Sequence, residues 1–250
     1  MSLKYYLLAV AAALPFGLAA GVVATPFPEG RKAAVVFTFD DGTVDQYEVA
    51  APVLDKYGIK AIFNIVPTWI GGKKTMTWEQ VNDLVKRGHE LANHTYSHKD
   101  LVGLVRTDRV ALTNELAEGH RMIQEHTGCD ARVVCLPFNR IDASVGGVVD
   151  ALGYRVIRHR MGNWGEGFGA AEAHAFAEEA IRRGTWNYVL IHGVAPGGGW
   201  KAFRDIGQFE EIVKALKSHE ELWIPGYAEA ENWRNGYAEH LKSKGKEQCK

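Results

Sequence analysis

Between residues 34 and 224 the chain alternates short apolar runs with amphipathic stretches of helical period, and this alternation limits the folds open to it. The apolar runs lie at 34–39, 61–65, 90–93, 133–136, 154–157, 188–192 and 222–224. Each is the length of a buried strand. Between them, 44–57 places Tyr47, Val49, Val53, Leu54 and Tyr57 near helical spacing. Segment 78–87 follows Thr77, a good N-cap, and carries Glu79 in its first turn. Segments 107–126, 170–183 and 208–219 complete the helical candidates. Strands that alternate with helices build an α/β fold on a parallel sheet. An open, doubly wound sheet satisfies the same pattern. The polar residues favour a barrel, because Asp40, Asp41, His94, Pro137 and His192 all fall at or just beyond strand C-termini. That is the face on which barrels carry their sites. The expectation is a distorted, TIM-barrel-like (β/α)7 barrel in a single domain.

The first residues follow different rules. Lys4 precedes an apolar run over 5–20, and Val22-Val23-Ala24 fits a small-residue cleavage site. Residues 1–24 read as a secretory signal peptide, which leaves a domain over 25–250 and an exported protein at a periplasm, cell surface or medium. An uncleaved membrane anchor is the alternative, but the run is short for a spanning helix. With the signal cleaved, no stable membrane span is expected. A net charge of −1 gives no footing for a nucleic-acid partner held by bulk charge. Of the three cysteines, Cys129 and Cys135 are close enough in sequence to pair and Cys249 is next to the C-terminus. Export permits disulfides, yet incidental or structural thiols are the simpler reading. The run Gly197-Gly198-Gly199 lacks the Lys-Ser/Thr of a phosphate-binding loop.

Two short runs carry the chemistry. Thr38-Phe39-Asp40-Asp41-Gly42 ends the first apolar run, and His94-Thr95-Tyr96-Ser97-His98 follows the third. One carboxylate and two imidazoles make a three-ligand set for a divalent metal with positions left open. Successive side chains on an extended chain point to opposite sides, so one aspartate can bind metal while the other stands nearby as a base. Asn93, Thr95 and Ser97 are placed to hydrogen-bond the remaining ring nitrogens. His192, at the end of Tyr188-Val189-Leu190-Ile191, suits a general acid. The combination points to metal-assisted hydrolysis. Trp69, Trp164, Trp200 and Trp233 offer rings to a sugar or to the core, and the loop 193–203 is placed to cap a cleft.

These motifs resemble the polysaccharide deacetylase family, the NodB-homology group of carbohydrate esterases (family 4), over residues 33–233. Thr38–Gly42 is similar to its first motif and His94–His98 to its second. Leu136-Pro137-Phe138, Trp164 and Leu190-Ile191-His192 are shorter matches to the remaining three. The resemblance implies Asp40 as general base and Asp41, His94 and His98 as ligands of a divalent metal, usually Zn2+, with Co2+ or Ni2+ in some relatives. It implies His192 as general acid and the backbone N–H of Phe138, beside Pro137, as an oxyanion donor. Trp164 and Leu190 would line a pocket for an acetyl methyl group. The implied substrate is an acetylated carbohydrate that loses an N-acetyl group. An O-acetyl esterase acting on xylan, a hydrolase of small non-sugar amides, and a carbohydrate-binding pseudoenzyme remain as alternatives.

The chain departs from the family pattern twice. Cys135 stands where an arginine usually partners the catalytic aspartate, and Asn163 where an aspartate usually tunes the catalytic histidine. Arg132, Arg140, Arg158 and Arg160 are candidates to replace the missing positive charge.

Overall fold

Strand β1 (Ala33–Phe39) is buried along its whole length, as expected for a parallel strand covered on both faces. The computed structural model describes residues 25–157 and 163–247, with Asn163 and 243–247 described by their backbone alone. The expected signal peptide, Arg158, Arg160 and Cys249 therefore lie outside the described residues. The other strands are β2 (Ile62–Ile65), β3 (Glu90–Asn93), β4 (Val133–Val134), β5 (Arg155–Val156), β6 (Asn163–Trp164), β7 (Trp186–Ile191) and β8 (Leu222–Trp223). They form one sheet in the order β5-β4-β3-β2-β1-β7-β6, with β8 also on β1, and every pairing is parallel. β7 pairs with β1 from Ala34 to Phe39 and occupies one edge of it. The other edge is shared: β2 meets β1 at Thr38 and Phe39, and β8 meets it at Ala33 and Ala34.

The sheet is strongly curled. In a flat sheet β1 and β4, three positions apart, would stand about 14 Å from each other. Here Sγ of Cys135, just past β4, is 3.5 Å from Oδ1 of Asp40, just past β1. The alternate residues Val36, Ile62, Ala92, Val133, Cys135, Ile157 and Tyr188 share the inner cluster, closed from one end by Tyr227 and Ala230. Val35, Phe37, Phe39, Phe63, Val189 and Ile191 point outward into a larger core. That core is covered by helices α1 (Ala51–Lys56), α2 (Trp78–Lys86), α6 (Ala170–Arg183) and α7 (Gln208–Lys217). One helical layer outside and one side-chain core inside make a distorted parallel barrel, open between edge strands β5 and β6 among the described residues. The doubly wound alternative does not describe this arrangement.

Thr77 caps α2 in a reciprocal box with Gln80. The remaining helices are α3 (Leu101–Thr107), α4 (Arg109–Thr127), α5 (Ala143–Ala151) and α8 (Tyr227–Glu247). The sequence pattern misses α3, α5, α8 and β6 for physical reasons. α3 and β6 are too short to display a period, α5 contains Gly146 and Gly147, and α8 has no sustained apolar face. Segment 44–57 begins with a wide turn at Gln46–Ala50 before α1. Cys129 and Cys135 are free thiols and do not pair.

His89 gives the fold a pH dependence. Its side chain is fully buried, and its Nδ1 accepts the N–H of Ala61 at 3.3 Å. The ring proton is therefore on Nε2, 3.3 Å from Asp55 Oδ1. Burial pushes its pKa down from 6.5 to about 4, against the pull of Asp55 and with the help of Lys60 and Arg87. The unfolded chain takes up this proton below pH 6.5 and the folded chain only near pH 4. Stability from neutral His89 is thus complete above pH 6.5 and is lost as the pH falls towards 4, by up to about 3 kcal/mol. Urea unfolding at pH 7 and pH 4.5 should show a larger drop in the wild type than in His89→Gln; equal drops would refute the assignment.

Candidate active site

The C-terminal ends of β1, β3, β4 and β7 converge on one cluster. Asp40 continues β1: its N–H donates to the carbonyl of Ile191 at 2.9 Å, and its inward register places the carboxylate inside the barrel. At Asp41 the backbone turns into the left-handed region (φ 78°). The two carboxylates are consequently not on opposite sides, as an extended chain would put them. Oδ2 of Asp40 and Oδ1 of Asp41 both lie 3.6 Å from Nε2 of His94. His98 Nε2 lies 3.7 Å from the same Asp41 oxygen, and His192 Nε2 is 4.0 Å from Asp41 Oδ2. Gly42 (φ 65°) completes the turn.

The ring nitrogens find partners other than the expected ones. His94 Nδ1 lies 2.8 Å from the carbonyl of Cys135. A carbonyl only accepts, so Nδ1 bears a proton, which leaves Nε2 facing the carboxylates as the atom a metal would take. Asn93 instead donates to the carbonyl of Leu116, Thr95 Oγ1 accepts the N–H of His98, and Ser97 binds Glu115. The three neighbours thus shape the backbone of the His94–His98 segment and do not orient its rings. That segment holds Thr95 and His98 at φ 65° and 59°.

Several supporting residues are not legible from local sequence. Glu115, on α4 and 3% exposed, accepts the N–H of Ser97 at 2.8 Å and its hydroxyl at 2.6 Å. Gln46 Nε2 donates to the carbonyls of both Asp40 and His192, tying β1 to β7 where the site begins. Asp45 Oδ2 accepts the N–H of Val194 at 2.6 Å and of Ala195 at 3.1 Å, which anchors the loop after His192. Asn64, at the inner end of β2, donates to Asp40 Oδ1. These partners are 6 to 150 residues from the groups they hold, and they belong to no motif whose spacing could reveal them.

Asp40 is framed by Asn64 on one side and on the other by the Cys135 thiol, which reaches both its oxygens at 3.5 and 3.6 Å. Burial, reinforced by the charge of Asp40, raises the Cys135 pKa well above the ordinary range, so the thiol remains a neutral donor. No arginine replaces the missing charge among the described residues: Arg132 faces Asp130, and Arg140 pairs with Asp100.

Electrostatics mark the cluster as short of positive charge. Burial pushes Asp41 up, but His94, and then His192 and His98, outweigh it and hold its carboxyl below the usual range. Burial lowers His94, and the two aspartates more than reverse this, drawing a proton onto it. His98 is held down by burial and by His94. Oδ1 of Asp41 is buried without a hydrogen-bond partner, and it faces two imidazole nitrogens. Asp41, His94 and His98 therefore fit a divalent cation, with one oxygen and two nitrogen donors close enough to share it.

Aromatic rings edge the site. Trp69 and Phe138 each have a centroid 4.9 Å from that of His98, and Trp200 lies edge-on to His192 at 5.2 Å. Phe138 and Trp200 are 61% and 59% exposed. Pro137 is buried at the start of a short turn that puts Phe138 at φ 60°. Leu190 is half-buried, two residues before His192 in the inward register. Trp164 is elsewhere: it is 3% exposed, stacked on Phe168 and edge-on to Phe37 and Phe176, in the outer core. Its pairing with Ile191, an outward residue, turns it away from the barrel interior. The expectation that Trp164 lines the site is corrected accordingly. Trp233 lies by Trp223, near the opposite end of β1.

Fold and site together place the chain among barrel proteins suited to hold one divalent cation at their strand ends. The family model for polysaccharide deacetylase matches residues 28–157, just over half of the chain. The chain belongs to the polysaccharide deacetylase family. It is 28% identical over 137 residues to YxkH of Bacillus subtilis, covering 55% of this chain and 48% of that protein. It is 26% identical over 124 residues to the chitin deacetylase of Colletotrichum lindemuthianum, covering 49% of each. The chain thus spans about half the length of the curated relatives it matches. Its fold is similar to that of a family 4 acetyl xylan esterase from Clostridium thermocellum, solved with a cobalt ion. The TM-score is 0.60 at 22% identity, covering 79% of this chain and 89% of that one.

The support from Glu115 has a measurable consequence. Glu115→Ala removes the partner of two part-buried donors on the segment between His94 and His98. Zinc affinity, measured by competition with a chromogenic chelator, should fall about 10- to 100-fold, with folding retained by circular dichroism. Unchanged affinity would show that Glu115 does not order the ligands.

Proposed function

We propose that this chain is a metal-dependent hydrolase that removes N-acetyl groups from an acetylated carbohydrate. The observation that carries the reading is the meeting of two carboxylates and three imidazoles around Asp41 and His94, within 4.0 Å. Asp41, His94 and His98 hold the cation, with Zn2+ the proposed ion and Co2+ or Ni2+ able to use the same donors. When bound, the cation supplies Lewis-acid polarisation of the scissile carbonyl and acidifies water.

The chain's own residues do the rest. Asp40, with hydrogen bonds from Asn64 and Cys135 fixing its orientation, takes the proton from the attacking water. His192, across Asp41 from His98, delivers a proton to the departing nitrogen. The Phe138 backbone N–H, set by the turn after Pro137, supports the oxyanion. Leu190 gives an apolar wall to the acetyl methyl. The exposed rings of Trp69, Phe138 and Trp200 offer faces on which sugar rings stack. Residues 1–24 export the protein, and no described helix is long and apolar enough to cross a membrane.

Acetate release by the zinc-loaded mature protein tests this, on a panel of N-acetylglucosamine oligomers, peptidoglycan fragments and acetylated xylan. Asp40→Asn and His192→Ala should each lower kcat on the order of 100- to 10,000-fold, while zinc remains bound. Release from xylan alone would replace the amide with an ester as substrate. A rate unchanged by Asp40→Asn would overturn the mechanism.

A further inference from the structure

Beside the Asp41–His94–His98 set lies a second group of potential ligands that the proposed reaction does not use as ligands. It consists of Asp40, His94 and Cys135, all buried. Sγ of Cys135 is 3.5 and 3.6 Å from the two Asp40 oxygens, and Asp40 Oδ2 is 3.6 Å from His94 Nε2. Oxygen and sulfur donors bound to one tetrahedral ion at about 2.1 and 2.3 Å stand about 3.6 Å apart. The sulfur–oxygen and oxygen–nitrogen separations therefore already approximate edges of such a tetrahedron, and all three ligand atoms lie within 4.8 Å of one another. The two sets share a single atom, Nε2 of His94, because Nδ1 is committed to the carbonyl of Cys135. One cation can use that atom at a time.

The sets differ in chemical character. Asp41, His94 and His98 offer oxygen and nitrogen, which suit borderline and harder cations. The second set adds a sulfur, which favours thiophilic ones. A divalent ion on the Asp40 carboxylate and the Cys135 thiolate is also charge-neutral, which burial favours.

We propose that Asp40, His94 and Cys135 form a thiophilic-cation site that competes with the Asp41–His94–His98 site for His94. Loading replaces the Cys135 S–H bond with a sulfur–metal bond, releases one proton to water and changes no oxidation state. The site takes a soft divalent cation such as cadmium. Its occupation removes Asp40 from base duty and empties the other set of His94, so it switches off the proposed hydrolysis. That last consequence rests on the deacetylase reading; the site itself does not.

The probe is cadmium added to the metal-free full chain. X-ray absorption of the cadmium-loaded wild type should show a sulfur neighbour, and ultraviolet difference spectra a thiolate-to-cadmium charge-transfer band. Both should persist in Cys129→Ser/Cys249→Ser and disappear in Cys135→Ser, with cadmium affinity reduced at least tenfold in the latter. A shell of only oxygen and nitrogen in the wild type overturns the proposal, and needs no variant to fold. A sulfur signal that survives Cys135→Ser also overturns it. A Cys135-dependent sulfur shell in a protein whose zinc form releases no acetate from any substrate would uphold the site and overturn the hydrolase reading instead.

Discussion

Two carboxylates on consecutive residues, Asp40 and Asp41, approach one imidazole nitrogen of His94 to 3.6 Å each. Like charges placed this close in a buried site repel unless a positive charge stands between them. Much of the surrounding structure answers that demand. Asn64 and the Cys135 thiol donate to Asp40, the two aspartates raise the proton affinity of His94, and His98 and His192 close around Asp41. A divalent cation on Asp41, His94 and His98 would satisfy the same demand with no proton on Nε2 of His94.

The cluster is held by backbone in sparsely populated conformations. Among the described residues, the non-glycine residues at positive φ are Asp41, Thr95, His98, Phe138, Asn139 and Lys201. Five of them lie just past β1, β3 and β4, and Lys201 follows Trp200 at the rim. Such residues cost of order 1–3 kcal/mol each and persist only where their surroundings over-determine them. Here Glu115 grips Ser97, Gln46 bridges the ends of β1 and β7, and Asp45 anchors the loop after His192. The opposite end of the barrel is built differently, with β8 completing the edge of β1 and α8 residues Tyr227 and Ala230 closing the inner core.

Cys135, where the resemblance implies an arginine, does more than leave out a charge. A guanidinium beside Asp40 would lower its basicity and carry a permanent positive charge into the barrel. The thiol donates weakly, stays neutral and takes little space. It also leaves a sulfur beside an oxygen and a nitrogen donor, and the three make a second group of potential ligands past the end of β4.

The alternation of apolar runs and helical stretches was enough to specify parallel strands, helices α1, α2, α4, α6 and α7 and the strand-end position of the reactive groups, because burial on two faces leaves a periodic record in the chain. Asp40, Asp41, His94, His98 and His192 were legible for the same reason: reactive residue types at the ends of apolar runs. Tertiary structure decided what period and spacing do not encode. The left-handed turn at Asp41 brought both carboxylates to one nitrogen, where an extended chain would have divided them. The outward register of β6 sent Trp164 into the core. The curl of the sheet carried Cys135 across three strands to Asp40, and Glu115, Gln46, Asp45 and Asn64 became supports only once distant segments met. Periodicity is local in the chain, whereas a charge-dense site is satisfied by whichever donors the closed barrel delivers.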